Sequence, residues 1–261
     1  MNNFGAAIRE WRNIRKMSQL ELSMMANVSS KHISFLENGR SNPSKDIVIK
    51  LSNFLNIPTT ERNYLLKLAG FAEAYSTQAI NFSTNGPIQN AVILMLEKHS
   101  PFPGVVFDKK WNVLLANKGF NNLLYTLNVA NPSFKLSSNI LDLIFDPESL
   151  KPNIVNWEEV SSLILKRLNR EELINPTLGE SLIDSLSQKY SFPEDWQMKD
   201  NLSSPLPVIP VKLKIADSEI NLFSIVSTIG TAIDAYAQEL TIELYYPVDE
   251  KSKKIIEGLN C

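Results

Sequence analysis

The sequence predicts an α+β protein in two parts. An all-α N-terminal domain of five short helices precedes a domain in which an antiparallel sheet carries helices on one face. Three observations predict this. Over residues 4–70, apolar side chains recur at three-to-four spacing in short runs separated by Asn, Gly or Pro. From Pro101 onward, two short apolar runs, several helical patterns and three strand-like runs follow in that order. Charge divides at the same place. Residues 1–70 hold ten Lys and Arg against five Asp and Glu, a net of +5, which leaves −7 on the remainder. A basic head on an acidic body predicts separate partners, with a polyanion for the head.

The first helix runs from Phe4 to Lys16, with Phe4, Ile8 and Trp11 on one face and Arg9, Arg12, Arg15 and Lys16 around the rest. Ser18 caps the second helix and Ser29 the third, each offering a side-chain oxygen to an unpaired backbone N–H. Asn27 lies in the turn between them and tolerates a left-handed backbone. Leu22, Ala26, Val28, Ile33 and Leu36 form the seam, because side chains three or four apart share a helix face. Gly39 stops the third helix. A fourth helix spans Lys45 to Leu55, and a fifth runs from Thr60 to Ala69. Ser30, Lys31, His32, Ser34 and Phe35 then stand at the start of the third helix, several of them outward. Small, cationic and aromatic groups there suit phosphates and base edges in a major groove.

With SQLELS, VSSKHIS and LENGRSNPS in those positions, residues 1–70 resemble the lambda-repressor-like (XRE) helix-turn-helix family. The resemblance implies that Gln19 holds a phosphate and braces the recognition helix. By the same resemblance Ser30, Lys31, Ser34 and Phe35 face base edges, and Asn38, Arg40 and Ser41 meet the DNA backbone. Arg12 and Glu37 match a partly buried ion pair of that family, a structural brace. Asn27 stands where the family usually has Gly, and Ser23 where it has a small Ala.

The expected divisions are a DNA-binding domain over 1–71, a linker over 72–87, a second domain over 88–250 and a tail over 251–261. A short helix, Ile88 to Lys98, leads into the second domain. PGVVF and NVLLA form a hairpin around the turn at Asp108 to Trp111. Helices follow at 117–124, 139–145, 157–172 and 178–189, then strands through Val208 to Ile215, Ile220 to Ile229 and Glu239 to Tyr246. The last alternates cleanly, with Leu240, Ile242, Leu244 and Tyr246 on one side and Glu239, Thr241, Glu243 and Tyr245 on the other. The apolar side is expected inward.

This order is that of a PAS core. HSPFPGVVFDKKWNVLLAN, FDPESLKPNIVNWEEVSSLILKRLNRE, PVIPVKLKI, INLFSIVSTIGT and QELTIELYYPVDE together resemble the ligand-binding domain of MmyB-like transcription regulators. The resemblance implies a PAS-like pocket for a small, largely apolar molecule, with fatty-acyl compounds the expected class and no other cofactor. The expected lining is Phe107, Leu115, Phe120, Leu124, Trp157, Leu163, Ile164, Phe223, Ile225, Leu240, Ile242 and Leu244. Arg167 and Asn117 are the candidates to meet a ligand carboxylate.

Several classes are not expected. There is no phosphate-cradling Gly-rich loop, and His32 and His99 are the only histidines. The single cysteine, Cys261, allows no internal disulfide and no thiolate metal site. Neither a catalytic triad nor a bound metal is therefore expected, and the protein is read as no enzyme. No apolar run approaches a membrane span and Met1 opens no signal-peptide pattern, so a cytoplasmic protein is expected. The expected partners are a double-stranded DNA operator, bound as a homodimer on two half-sites, and the small molecule. An alternative keeps the DNA binding and makes the second domain a dimerisation or protein-interaction module without a ligand.

Overall fold

The computed structural model describes residues 4–75, 86–174, 181–198, 210–229 and 239–259. The chain divides into two compact units, one N-terminal and one C-terminal. Leu178 and Val208, expected to begin a helix and a strand, lie outside the described residues, as does the middle of the expected linker.

The N-terminal unit is five helices: α1 (Phe4–Ile14), α2 (Gln19–Met25), α3 (Ser30–Glu37), α4 (Lys45–Phe54) and α5 (Thr59–Leu68). Local hydrogen bonds fix where they start. Ser18 accepts from the Glu21 amide while the Glu21 carboxylate accepts from the Ser18 amide, a reciprocal cap that satisfies two orphan donors. Ser29 and Ser44 accept from the amides of His32 and Ile47. Asn27 turns the chain between α2 and α3 at φ 47°, a left-handed conformation that Asn adopts more readily than most residues. Phe4, Ile8, Trp11, Leu22, Ile33, Leu36 and Leu51 form the buried core. Gly5 lets α1 lie against the end of α3, for a Cβ there would strike the Leu36 carbonyl oxygen. The first part of the expected linker is held down. The Asn63 amide accepts from Ala74 N and Tyr75 N and donates to Tyr75 O.

The C-terminal unit opens with α6 (Pro87–His99) and the hairpin β1 (Gly104–Phe107) and β2 (Val113–Ala116). Then come α7 (Lys118–Ala130), α8 (Ile140–Phe145), a 3-10 turn at Lys151–Asn153, α9 (Trp157–Ile174) and α10 (Leu182–Lys189). The strands β3 (Val211–Ile215), β4 (Ser218–Thr228) and β5 (Thr241–Pro247) follow, and α11 (Glu250–Gly258) closes the order. The sheet is antiparallel in the order β2-β1-β5-β4-β3, so the hairpin is joined to the C-terminal strands through β1 and β5.

Strand register assigns the two faces, since directly paired residues point the same way. Val105 pairs with Glu243, Ser224 with Tyr245 and Val211 with Leu222. That face packs into the main core with Phe120, Leu123, Ile140, Phe145 and Leu165 of the helices. Val106 pairs with Ile242, Gly104 with Leu244, and Leu244 with Ile225 on the opposite face. Against this second face lies α6. Side chains of both Leu96 and Leu244 crowd Gly104, and the His99 ring packs edge-on to Tyr246 at 4.7 Å. The sheet thus carries most helices on one face, as expected, and α6 on the other. Of the expected tail, residues 251–259 are described, and they pack onto the sheet. Ile256 of α11 is 1% exposed, and Ser252 Oγ accepts from Asn221 N on β4. With only Ile255 and Ile256 apolar in nine residues, the local pattern is too short to mark a buried helix.

Candidate functional site

In α3, Ile33, Leu36 and Glu37 are buried. At 100° per residue the opposite side is taken by Ser34, Asn38, Lys31 and Phe35, with Ser30 at its edge. Ser30, Lys31, Asn38 and Arg40 are exposed, and His32, Ser34, Phe35 and Ser41 are partly exposed. His32 falls at the other edge of the outward side, partly exposed like Ser34 and Phe35, and its amide is the one that Ser29 caps. The Lys31 ammonium lies 5.5 Å from the centre of the Phe35 ring. Asn38 is held by its own bonds, donating to Ser34 O at 2.9 Å and accepting from the Arg9 guanidinium.

One carboxylate anchors this helix from behind. Glu37 accepts from Arg12 Nε at 2.7 Å, Arg12 Nη2 at 3.0 Å and Gln19 Nε2 at 2.8 Å, with Arg9 nearby at 3.4 Å. Arg12 also donates to Met17 O. Burial alone would raise the Glu37 pKa. The Arg12 and Gln19 hydrogen bonds and the positive charge of Arg12 and Arg9 outweigh it, and the carboxyl sits below its ordinary value. Gln19, expected to hold a phosphate and brace the helix, has its amide nitrogen engaged in the bracing bond.

In the C-terminal unit a cavity of about 200 Å³ lies between the sheet and the helices. Of the expected lining, the structure brings Phe120, Leu124, Leu163, Ile164 and Arg167 to it. Leu123, Ile140, Leu143, Ile144 and Val160 join them on the helical side, Trp111 comes from the β1–β2 turn, and Leu213, Leu222, Ser224, Glu243 and Tyr245 stand on the sheet side. Leu115, Phe223, Ile225, Ile242 and Leu244 do not reach it. By register they all occupy the face that meets α6, and Leu240, just before β5, is fully buried away from it. Phe107 is on the cavity face but sits stacked beside Trp111 at 4.9 Å, outside the lining. Trp157 starts α9, where its Nε1 donates to Ile144 O and Lys151 covers its ring. Asn117 caps α7, accepting from Phe120 N and Gly104 N and donating to Leu96 O and Phe102 O, so its amide serves the fold.

The wall is apolar except at one place. Arg167 Nη1 stands 4.0 Å from Glu243 Oε2, and the guanidinium lies over Trp111 at 4.8 Å and Phe107 at 5.9 Å. The Tyr245 phenol is held well above its ordinary pKa, first by burial and then by the charge and hydrogen bond of Glu243. Glu243 and Tyr245 are not among the expected lining because alternation in the last strand groups them with its polar side; Ser224, on β4, carries no sequence signal of its own. Among the described residues no group of His, Cys, Asp or Glu is placed to hold a metal, and no helix is long and apolar enough to cross a membrane.

Residues 88–259 match the family model of the MmyB-like transcription regulator ligand binding domain. The chain belongs to the MmyB-like transcription regulators. Residues 8–62 of this regulator match a helix-turn-helix model as well, across α1 to α5. A comparison with curated proteins gave no match. A helix-turn-helix with an outward α3, joined to a ligand-binding domain that contains a cavity, makes the chain a DNA-binding transcription regulator with a ligand-binding domain. Both matched families are regulatory.

Proposed function

We propose that this regulator binds a specific DNA operator as a cytoplasmic homodimer, and that a small, largely apolar molecule of fatty-acyl character in the cavity sets its operator affinity. The observation that carries the reading is the cavity. Its wall is leucine, isoleucine, valine and aromatic side chains apart from one polar cluster, and it lies in a ligand-binding domain of a chain that also presents a braced helix with an exposed cationic and aromatic face. At about 200 Å³ it falls below the roughly 300–1,000 Å³ of sites for drug-sized ligands, so one short chain or ring fills it. A dimer is proposed because one small domain makes too few contacts for specific occupancy. On the DNA side, Lys31, Ser30, Ser34 and Phe35 face base edges and Asn38, Arg40 and Ser41 meet the backbone. Gln19 acts chiefly through Glu37.

Two measurements test this. In duplex-binding titrations by fluorescence anisotropy, Lys31→Ala and Arg40→Ala each weaken binding. Arg40→Ala, if it removes one phosphate contact, lowers the slope of log affinity against log salt by about one. Unchanged affinity in both variants overturns the assignment of α3. For the chamber, a medium-chain acyl amide, octanamide, raises the melting temperature of the full chain, as any ligand of the folded state must. Leu163→Trp, which fills the cavity, abolishes the shift. A shift that survives Leu163→Trp, or none in either protein, overturns the assignment of the chamber.

A further inference from the structure

Resting on the chamber reading above, we infer that the molecule it takes carries an uncharged polar head, a hydroxyl or a carboxamide, on its apolar body, and not a carboxylate. Among the described residues of its wall, the polar cluster already holds a cation, Arg167, and an anion, Glu243. Arg167 and Glu243 are both largely enclosed, with side chains 21% and 11% exposed, and both face the cavity. A ligand carboxylate that reached Arg167 would bring a second anion beside Glu243 in a setting poor in water, where like charges repel strongly. A ligand ammonium that reached Glu243 would meet Arg167 in the same way. A neutral head avoids both.

The spacing favours a head that donates and accepts. At 4.0 Å the closest Arg167 and Glu243 atoms are too far apart for a direct hydrogen bond, yet near enough for one oxygen to touch both. A hydroxyl there accepts from the guanidinium and donates to the carboxylate. A carboxamide does the same through its two ends. The cluster is prepared for this. The Arg167 guanidinium is positioned by Trp111 and Phe107, and Glu243 also interacts with the Tyr245 hydroxyl. Ser224, paired with Tyr245 across β4 and β5, lines the same wall.

The test uses the full chain and four probes with the same eight-carbon skeleton: octan-1-ol, octanamide, octanoic acid and octylamine. Binding is measured by isothermal titration calorimetry at neutral pH, with Leu163→Trp as the control for occupancy of the chamber. The alcohol and the amide bind at least about tenfold more tightly than the acid and the amine. In Glu243→Gln the acid gains about tenfold or more, because the anion that opposed it is gone, while the alcohol changes less. Octanoic acid binding wild-type protein as tightly as octan-1-ol overturns the inference and leaves the chamber as a ligand site. Binding by none of the four overturns the chamber reading with it. The wild-type comparison decides the matter even if Glu243→Gln fails to fold.

Discussion

At the scale of single residues, the N-terminal unit turns on one buried carboxylate. Glu37 has a side chain with no exposed surface and gathers Arg12, Gln19 and Arg9 from α1 and α2 onto the end of α3. Its pKa sits below the ordinary value, against the upward push of burial, because the hydrogen bonds and positive charges around it favour the ionised form. The sign of the pH dependence follows. A carboxylate with a depressed pKa in the folded state contributes stability that is present above its ordinary value and lost as pH falls from that value through the folded one. The N-terminal unit is therefore expected to weaken on acidification below the ordinary glutamate range. Glu37→Gln removes that part of the dependence and costs about 2–3 kcal/mol at neutral pH, since it leaves Arg12 facing a neutral amide. Urea unfolding followed at the indole resonance of Trp11, the one tryptophan of residues 4–75, measures both effects. An unchanged acid slope in the variant would remove Glu37 from the account. The residue was legible in the sequence as half of a family ion pair. Its hold on Gln19 was half legible, since bracing was expected together with phosphate contact.

At the scale of elements, helices were far easier to read than sheet faces. Ser18, Ser29 and Ser44 each announce a helix start by a mechanism that acts within three residues, so no tertiary knowledge is needed. The sheet is different. Alternation in β5 separates Ile242 and Leu244 from Glu243 and Tyr245, yet period two says only that two faces exist. The usual assumption is that the apolar face looks inward and the polar one toward water. Here α6 packs on the apolar face at β1, and the face with Glu243 and Tyr245 looks into the cavity. Leu115, Phe223, Ile225, Ile242 and Leu244 therefore missed the lining together, while Phe107, on the cavity face, missed it by stacking on Trp111; Phe120, Leu124, Leu163, Ile164 and Arg167 met it from within the helices, and Asn117 and Trp157, at helix starts, did not. The same limit hid α11, whose contact with β4 depends on residues some thirty positions away. Its contribution can be measured. Ile256 is 1% exposed, and Ile256→Ala is expected to cost about 2–4 kcal/mol of the C-terminal unit's stability by removing buried methyl groups and leaving a void. Denaturant unfolding followed by far-UV circular dichroism reads this as a lower midpoint for the second unit with the first unchanged. A loss below about 0.5 kcal/mol, the range of surface substitutions, would return residues 251–259 to the status of a tail.

At the scale of the whole molecule, the proposal joins two equilibria in one chain, and thermodynamics constrains how they can be joined. A ligand shifts duplex affinity only by the difference in its own affinity for the DNA-competent and incompetent states. The coupling must then be reciprocal. Whatever factor a saturating chamber ligand applies to duplex affinity, saturating duplex must apply to ligand affinity. With octan-1-ol as the probe, anisotropy gives the first factor and calorimetry the second. Equal factors of about 5- to 150-fold are expected for an allosteric regulator. If both factors equal one, the chamber and α3 are uncoupled and ligand control of the operator is lost as an explanation, although each site could still bind. The dependence on protein concentration then separates two mechanisms. Should the ligand act by assembling or dissociating the homodimer, the apparent coupling must vanish once the protein is concentrated enough to be fully dimeric with or without ligand, because mass action supplies what the ligand otherwise would. Should it act within an intact dimer by changing the spacing of the two α3 helices, the coupling persists at every concentration. It is then expected to depend on half-site separation, since recognition helices in a dimer reach matching grooves only at a fixed repeat of the duplex. Duplexes with half-sites moved apart by one base pair at a time would show it: the ligand effect changes with spacing in the second case and is indifferent to it in the first.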